Sequence, residues 1–186
     1  MNKNELIDCL ERSPVIAAFH EKDFKKAIDS PCEVIFNLKA SLHTVKQQIA
    51  AAHEAGKFYF LHIDLADGIG KDKTGIEYLT ECGVDGIIST RSQLIKYAKE
   101  AGLLTIQRFF VIDRQGIESI RDMLDSSSPD LIEIMPGVIG KVISRFSDGS
   151  IPVIAGGLIQ TKAEVTDALK NGAAAVSTGT TELWYL

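Results

Sequence analysis

Short apolar runs rich in β-branched and aromatic residues recur along the chain: VIAAF from Val15, VIFNL from Val34, FYFLHID from Phe58, GIIST from Gly86, TIQRFFV from Thr105, LIEIM from Leu131, PVIAG from Pro152 and AAVST from Ala174. Each has strand length and is close to continuously apolar, the pattern of a parallel strand buried on both faces. The segments between them repeat apolar residues at helical spacing: Val45, Ile49 and Ala52; Leu94, Tyr97 and Ala98; Ile117, Ile120 and Leu124; Val165, Ala168 and Leu169. Each set predicts a helix with one face on the sheet. Gly56, Gly102 and Gly172 follow three of these patterns where a left-handed residue commonly ends a helix. Eight strand-helix units predict an α/β chain, a compact (β/α)8 TIM barrel forming a single domain over residues 1–186. The leading ELIDCLE predicts a short helix over the barrel's N-terminal end, and the final ELWYL is expected to pack similarly with Trp184 as its anchor.

Composition narrows the picture without redirecting it. A barrel of this kind takes about 250 residues, so 186 residues require short helices, tight connections and no inserted domain. Hydrophobic residues make up 45% and charged residues 24%, and no apolar run reaches bilayer-spanning length. The N-terminal MNKNELIDCLERS carries charges where a signal peptide needs an apolar core, so the expected address is the cytoplasm, away from membranes. The net charge of −5 excludes a uniformly basic nucleic-acid coat but leaves local basic patches possible. Cys9, Cys32 and Cys82 form no C-x-x-C pair and are expected to be reduced and buried.

The candidate chemistry lies where strands should end. Polar residues interrupt the apolar runs at Asn37 and Lys39, His62 and Asp64, Ser89 and Arg91, Gln107 and Arg108, and Glu133. Alternation along a strand puts Asn37 with Lys39, and His62 with Asp64, on shared faces that can converge on the barrel mouth. Near the C-terminus, Gly156-Gly157 and Ser177-Thr178-Gly179 close two successive strands. Glycines admit close approach of backbone N–H groups to an anion, and the loops after strands seven and eight are where phosphate docks in such barrels. The carboxylates and amides suit hydroxyls, while Lys39, Arg91 and Arg108 can offset acidic charge, so a small phosphorylated polyol fits the inventory. For single positions a satisfied core amide, or an Arg108–Glu133 ion pair, is the alternative. The loop ADGIGKDKTG after strand three, with Gly68, Gly70, Gly75, Lys71 and Lys73, could serve as a mobile lid. Walker A spacing, a G-x-S-x-G elbow and metal-type histidine spacing are missing, so no metal site is expected. A lyase or isomerase, with Lys39 as Schiff-base amine and Asp64 or Glu133 moving protons, is the enzymatic alternative.

The stretches SPVIAAFHEKDFKKAI, IFNLKASL, LHIDLADGIGKDKTGIEYL, GIISTRSQLIKYAKEAGLLTIQRFFVID, DLIEIMPGV, PVIAGGLI and AVSTGTTELW closely resemble the glycerol-3-phosphate-responsive antiterminator family over nearly the whole chain. The resemblance implies a noncatalytic barrel without a cofactor that senses glycerol 3-phosphate as effector. It also implies binding of the leader mRNA of glycerol operons, which prevents premature termination. Joined with the residue pattern, it gives phosphate at Gly156, Gly157, Ser177, Thr178 and Gly179, and the polyol among Asn37, Lys39, Asp64, Arg91, Gln107 and Glu133. An acidic chain must meet RNA through a restricted patch. The candidate clusters are Lys22, Lys25 and Lys26; Lys96 and Lys99; Lys141 and Arg145; or Arg91, Lys71 and Lys73 at the mouth. A sensor with a protein partner is a third reading, and a homo-oligomer is compatible with all three.

Overall fold

The computed structural model describes residues 2–186, with Arg114 described by its backbone alone. Helix α1 (Lys3–Arg12) leads into β1 (Val15–Phe19), α2 (Phe24–Asp29), β2 (Val34–Asn37), α3 (Val45–Glu54), β3 (Phe58–His62), α4 (Lys73–Glu81), β4 (Gly86–Ser89) and α5 (Ser92–Glu100). The second half continues through β5 (Leu104–Phe110), α6 (Arg114–Ser127), β6 (Leu131–Met135), α7 (Gly140–Ser147), β7 (Val153–Gly156), α8 (Lys162–Lys170) and β8 (Ala175–Thr178). All eight strands pair in parallel in sequence order, and β8 closes on β1 with Val15 opposite Val176, completing the (β/α)8 barrel. Gly56, Gly102 and Gly172 take positive φ of 70°, 79° and 93°, the left-handed helix stops that the spacing predicts.

Strand alternation divides the core into two layers. Ile16, Ala18, Val34, Phe36, Phe60, Ile88, Ile106, Leu131, Ile154 and Ala175 point into the barrel, while Ala17, Ile35, Tyr59, Leu61, Ile87, Ile132, Ala155 and Val176 meet the helices. Leu6, Cys9 and Leu10 of α1 join the inner layer, so the first helix closes the barrel's N-terminal end as expected. An Asn2–Glu5 capping box starts that helix.

The C-terminal segment differs from its expectation. It forms a 3-10 turn over Thr181–Tyr185 on the flank, against β1 and α2, where an eighth barrel helix would otherwise lie. Trp184 is its buried anchor and donates from Nε1 to the Thr178 carbonyl at 2.8 Å. Among the described residues, no helix is long and apolar enough to cross a membrane.

Candidate functional site

The barrel mouth gathers a buried polar set from side chains that point inward on their strands. Arg108 on β5 donates from Nε to Glu133 Oε2 on β6 at 2.6 Å, and Ser177 on β8 donates to Glu133 Oε1 at 2.5 Å. Arg108 Nη1 lies 3.3 Å from His62 Nδ1 on β3. A guanidinium can only donate, so Nδ1 is the acceptor in this contact. Nε2 of the same ring faces Asp64 Oδ2 at 3.3 Å without hydrogen-bond alignment, and it is the one buried side-chain nitrogen or oxygen without a hydrogen-bond partner among the described residues. Isolated, each buried charge would be costly; paired and hydrogen-bonded, the set can persist inside the barrel.

Asp64 ends this chain of contacts. The strand stops at His62 and the backbone turns into a 3-10 turn over Ile63–Leu65, yet Asp64 stays beside His62, its Oδ2 3.3 Å from the ring Nε2, as expected. Its carboxylate also accepts from Ser89 Oγ at 2.9 Å, Thr90 N at 2.7 Å and Thr90 Oγ1 at 2.9 Å, tying the β3 end to the β4–α5 loop. Burial alone would raise its pKa, but the His62 ring and these three donors outweigh that and hold the carboxyl well below its ordinary range. Arg91, more than half exposed, stands 3.7 Å from it at the start of α5.

A cavity of about 120 Å³ opens beside the polar set, lined by Arg108, Glu133, Ser177, Thr178, Gly179 and the loop Gly157–Ile159, with Ala18, Leu38 and Met135. Gly157 at φ +74° and Leu158 at φ +62° carry the β7–α8 loop through two consecutive left-handed residues. Such strain in a non-glycine residue marks a backbone held by its surroundings. Leu158 is two-thirds exposed at the cavity rim, and nothing in a leucine's local preference announces that conformation. Gly137 is a second unforeseen contributor. A Cβ there would lie 2.7 Å from Gly156 N, so the β6–α7 loop rests directly on the end of β7 and donates Gly137 N–H to the Gly156 carbonyl. A larger hollow of about 440 Å³ lies outside the barrel between α6 and α7, and its charged residues Arg121, Asp125, Arg145 and Asp148 come from helices and their ends.

The eleven expected ligand residues divide four ways. Glu133, Gly157, Ser177, Thr178 and Gly179 line the cavity, although the Thr178 hydroxyl is already spent on the Ile159 carbonyl at 2.7 Å. Gly156 lies under it, and its missing side chain makes room for protein: a Cβ would sit 2.5 Å from Glu133 Oε1 and 2.8 Å from Ser177 Oγ. Lys39, Asp64 and Arg91 sit on the rim, Lys39 more than half exposed and 3.3 Å from Asp67. Asn37 and Gln107 are turned away from the mouth. Asn37 donates to Gln48 Oε1 at 2.9 Å and Tyr59 Oη at 2.6 Å and accepts from Lys39 N, while Gln107 bonds Ser92 on α5 and Ser127 on α6. Both strands expose these positions to the helix layer, so the amides bind helices and do not join Glu133. The expected convergence of Asn37 with Lys39 fails because β2 ends at Asn37 and Lys39 lies beyond the strand.

The loop after β3, the expected lid, is braced by internal contacts in this conformation. Lys71 Nζ donates to the Ala66 and Ile69 carbonyls, Asp72 caps α4 through Gly75 N, and Asp67 pairs with Ser41 of the preceding loop. Two of the basic clusters are also partly engaged. Lys26 pairs with Asp23 at 3.0 Å, and Lys96 and Lys99 reach Ser126 and the Ser128 carbonyl at the end of α6.

The profile of the family described as "Glycerol-3-phosphate responsive antiterminator" matches residues 15–184. The uncharacterized protein YgcP of Escherichia coli (strain K12) is 35% identical over 186 residues, covering 97% of this chain and 96% of YgcP. A glycerol uptake operon antiterminator regulatory protein from Listeria monocytogenes superposes with a TM-score of 0.86 at 36% identity, covering 91% of this chain and 94% of that one. A glycerol uptake operon antiterminator-related protein from Thermotoga maritima superposes at 0.83 with 28% identity, covering 92% and 98%. Deoxyribose phosphate aldolase from Aeropyrum pernix, at 12% identity and a TM-score of 0.69 over 98% of this chain and 96% of that one, shares the barrel fold.

Proposed function

Because the chain belongs to the glycerol-3-phosphate responsive antiterminator family, we propose that it binds glycerol 3-phosphate at the barrel mouth and, so occupied, binds leader mRNA of glycerol uptake genes to prevent premature termination. The observation that carries the effector half is the cavity of about 120 Å³ where the ends of β7 and β8 meet a buried polar set. At about 120 Å³ the cavity is small, which favours a compact ligand such as a three-carbon phosphate over a nucleotide. Backbone N–H groups of the loops at Gly157 and Gly179 receive the phosphate, and the inward polar side chains take the carbon chain.

The RNA half rests on family membership and on exposed groups near the C-terminal ends of the strands. Arg91 and Lys39 on the rim are each more than half exposed, and Phe110 at the end of β5 is 57% exposed, a cationic and aromatic combination suited to phosphates and unstacked bases. An effector that favours the RNA-competent state must, by linkage, be bound more tightly in the presence of RNA by the same factor.

No observation favours the lyase or isomerase reading. The inward polar side chains at the strand ends are His62, Arg108, Glu133 and Ser177, while Lys39 is solvated and paired with Asp67, the opposite of the desolvated amine that Schiff-base chemistry uses. Filter binding of leader RNA across a salt series, with and without glycerol 3-phosphate, tests the proposal. The expected result is a negative slope of log affinity on log salt and tighter binding with effector. RNA affinity unmoved by saturating effector would refute it.

A further inference from the structure

We propose that Arg108 and Glu133 act together as a hydroxyl reader, so that the site takes phosphate esters of uncharged polyols and rejects both simple alkyl phosphates and three-carbon phosphates bearing a carboxylate. The inference rests on the effector reading above and specifies which chemistry that site accepts.

Both residues line the cavity and both are buried, Arg108 at 6% and Glu133 at 1% exposure. Arg108 spends Nε on Glu133 and Nη1 on His62, which leaves Nη2, an atom that is not fully enclosed, without a protein partner among the described residues. Each oxygen of Glu133 accepts one hydrogen bond, from Arg108 and from Ser177. A carboxylate offers about four acceptor positions, so two remain. The protein therefore presents a donor that cannot accept beside an acceptor that cannot donate. A hydroxyl both donates and accepts, and one placed between them satisfies both. An alkyl chain satisfies neither and leaves two charged groups desolvated without a partner.

Charge sorts the remaining ligands. The guanidinium is neutralised by the carboxylate 2.6 Å away, so the pair offers no net positive charge to a second anionic group. A ligand carboxylate in so small a cavity would stand against Glu133. His62 and Ser177 act as positioning residues: one fixes the guanidinium through Nη1, the other fixes the carboxylate through Oε1. Gly156 admits this arrangement, since any side chain there would occupy the space of Glu133 Oε1.

The test is isothermal titration of the full chain with glycerol 3-phosphate, n-propyl phosphate and 3-phosphoglycerate, followed by the same panel on Glu133→Gln. The wild-type chain should prefer glycerol 3-phosphate by at least about tenfold over each of the other two. Glu133→Gln, which keeps the shape but removes the negative charge, should narrow the gap to 3-phosphoglycerate more than the gap to propyl phosphate. Equal affinities across the wild-type panel, or an unchanged 3-phosphoglycerate ratio in the variant, overturn the reader while leaving the effector site standing. Failure of the wild-type chain to bind any of the three esters overturns the effector reading itself, and the reader with it. Should Glu133→Gln not fold, the wild-type panel decides alone.

Discussion

Replacing Gly156 by alanine separates two explanations for the glycine at the end of β7. If it exists only to let a phosphate approach the backbone, Gly156→Ala should weaken effector binding and leave the empty protein as stable as before. The packing says otherwise. The new Cβ would lie 2.5 Å from Glu133 Oε1, 2.8 Å from Ser177 Oγ and 3.0 Å from Glu133 Cδ, where ordinary contact begins at 3.4 Å. Glu133 has nowhere to retreat, because Oε2 is held by Arg108 and Arg108 is held by His62. Forcing a methyl group into a packed interior costs about 1–3 kcal/mol. Displacing the Ser177 hydrogen bond from a charged acceptor costs about 1.5–3 kcal/mol more. Against this, alanine stiffens the unfolded chain and returns about 0.4–1 kcal/mol. The net expectation is a loss of about 2–5 kcal/mol, and at roughly 2–4 °C per kcal/mol for a chain of this size Tm should fall on the order of 4–20 °C. Differential scanning calorimetry without ligand reads the first quantity and titration with glycerol 3-phosphate the second. A Tm within about 1 °C of wild type, whatever happens to ligand binding, would refute the claim that this glycine serves the carboxylate.

Other outcomes follow from the same geometry. Asn37→Ala and Gln107→Ala should each lower unfolding free energy by about 2 kcal/mol or more, because each strands buried partners, yet change effector affinity less than threefold; a large affinity loss with intact stability would return them to the site. For Asp64, the folded state holds the carboxyl below its ordinary range, so its stabilisation is present above the unfolded pKa of about 3.9 and drains away as pH falls towards the lower folded value. Urea unfolding should therefore find Asp64→Asn less stable at pH 7 and the gap to wild type closing below pH ~4; a gap independent of pH would exclude the linkage. Burial, reinforced by the neighbouring Glu33 carboxylate, pushes the Cys9 thiol up to about 11, and Cys32 is raised by burial as well, whereas Cys82 is only half-buried. Iodoacetamide at pH 8 followed by peptide mass mapping should label Cys82 first; early labelling of Cys9 would contradict the packing of α1 on the barrel.

Local pattern carried most of the architecture. Eight apolar runs became eight strands, because a strand covered on both faces needs an unbroken apolar stretch whatever its neighbours are. Gly56, Gly102 and Gly172 end their helices, because only the left-handed region closes a helix that way and glycine enters it without strain. The loops at Gly157 and Gly179, proposed above to receive a phosphate, are visible in the sequence as strand ends stripped of side chains. What the chain could not disclose is the phase of each strand about the barrel axis. Gln107 and Arg108 are adjacent polar residues on β5, yet one bonds the helix layer and the other meets Glu133 of the neighbouring strand inside the barrel. Alternation guarantees that they point oppositely; barrel closure and the register of Arg108 beside Glu133 decide which one faces in. The same limit hid the role of Gly156, whose constraint comes from side chains 23 and 21 positions away in sequence, and the left-handed turn at Leu158, which no local propensity encodes. Secondary structure follows from each segment's own need to bury apolar surface, whereas the site is made of side chains that meet only when eight strand ends are brought round to one mouth.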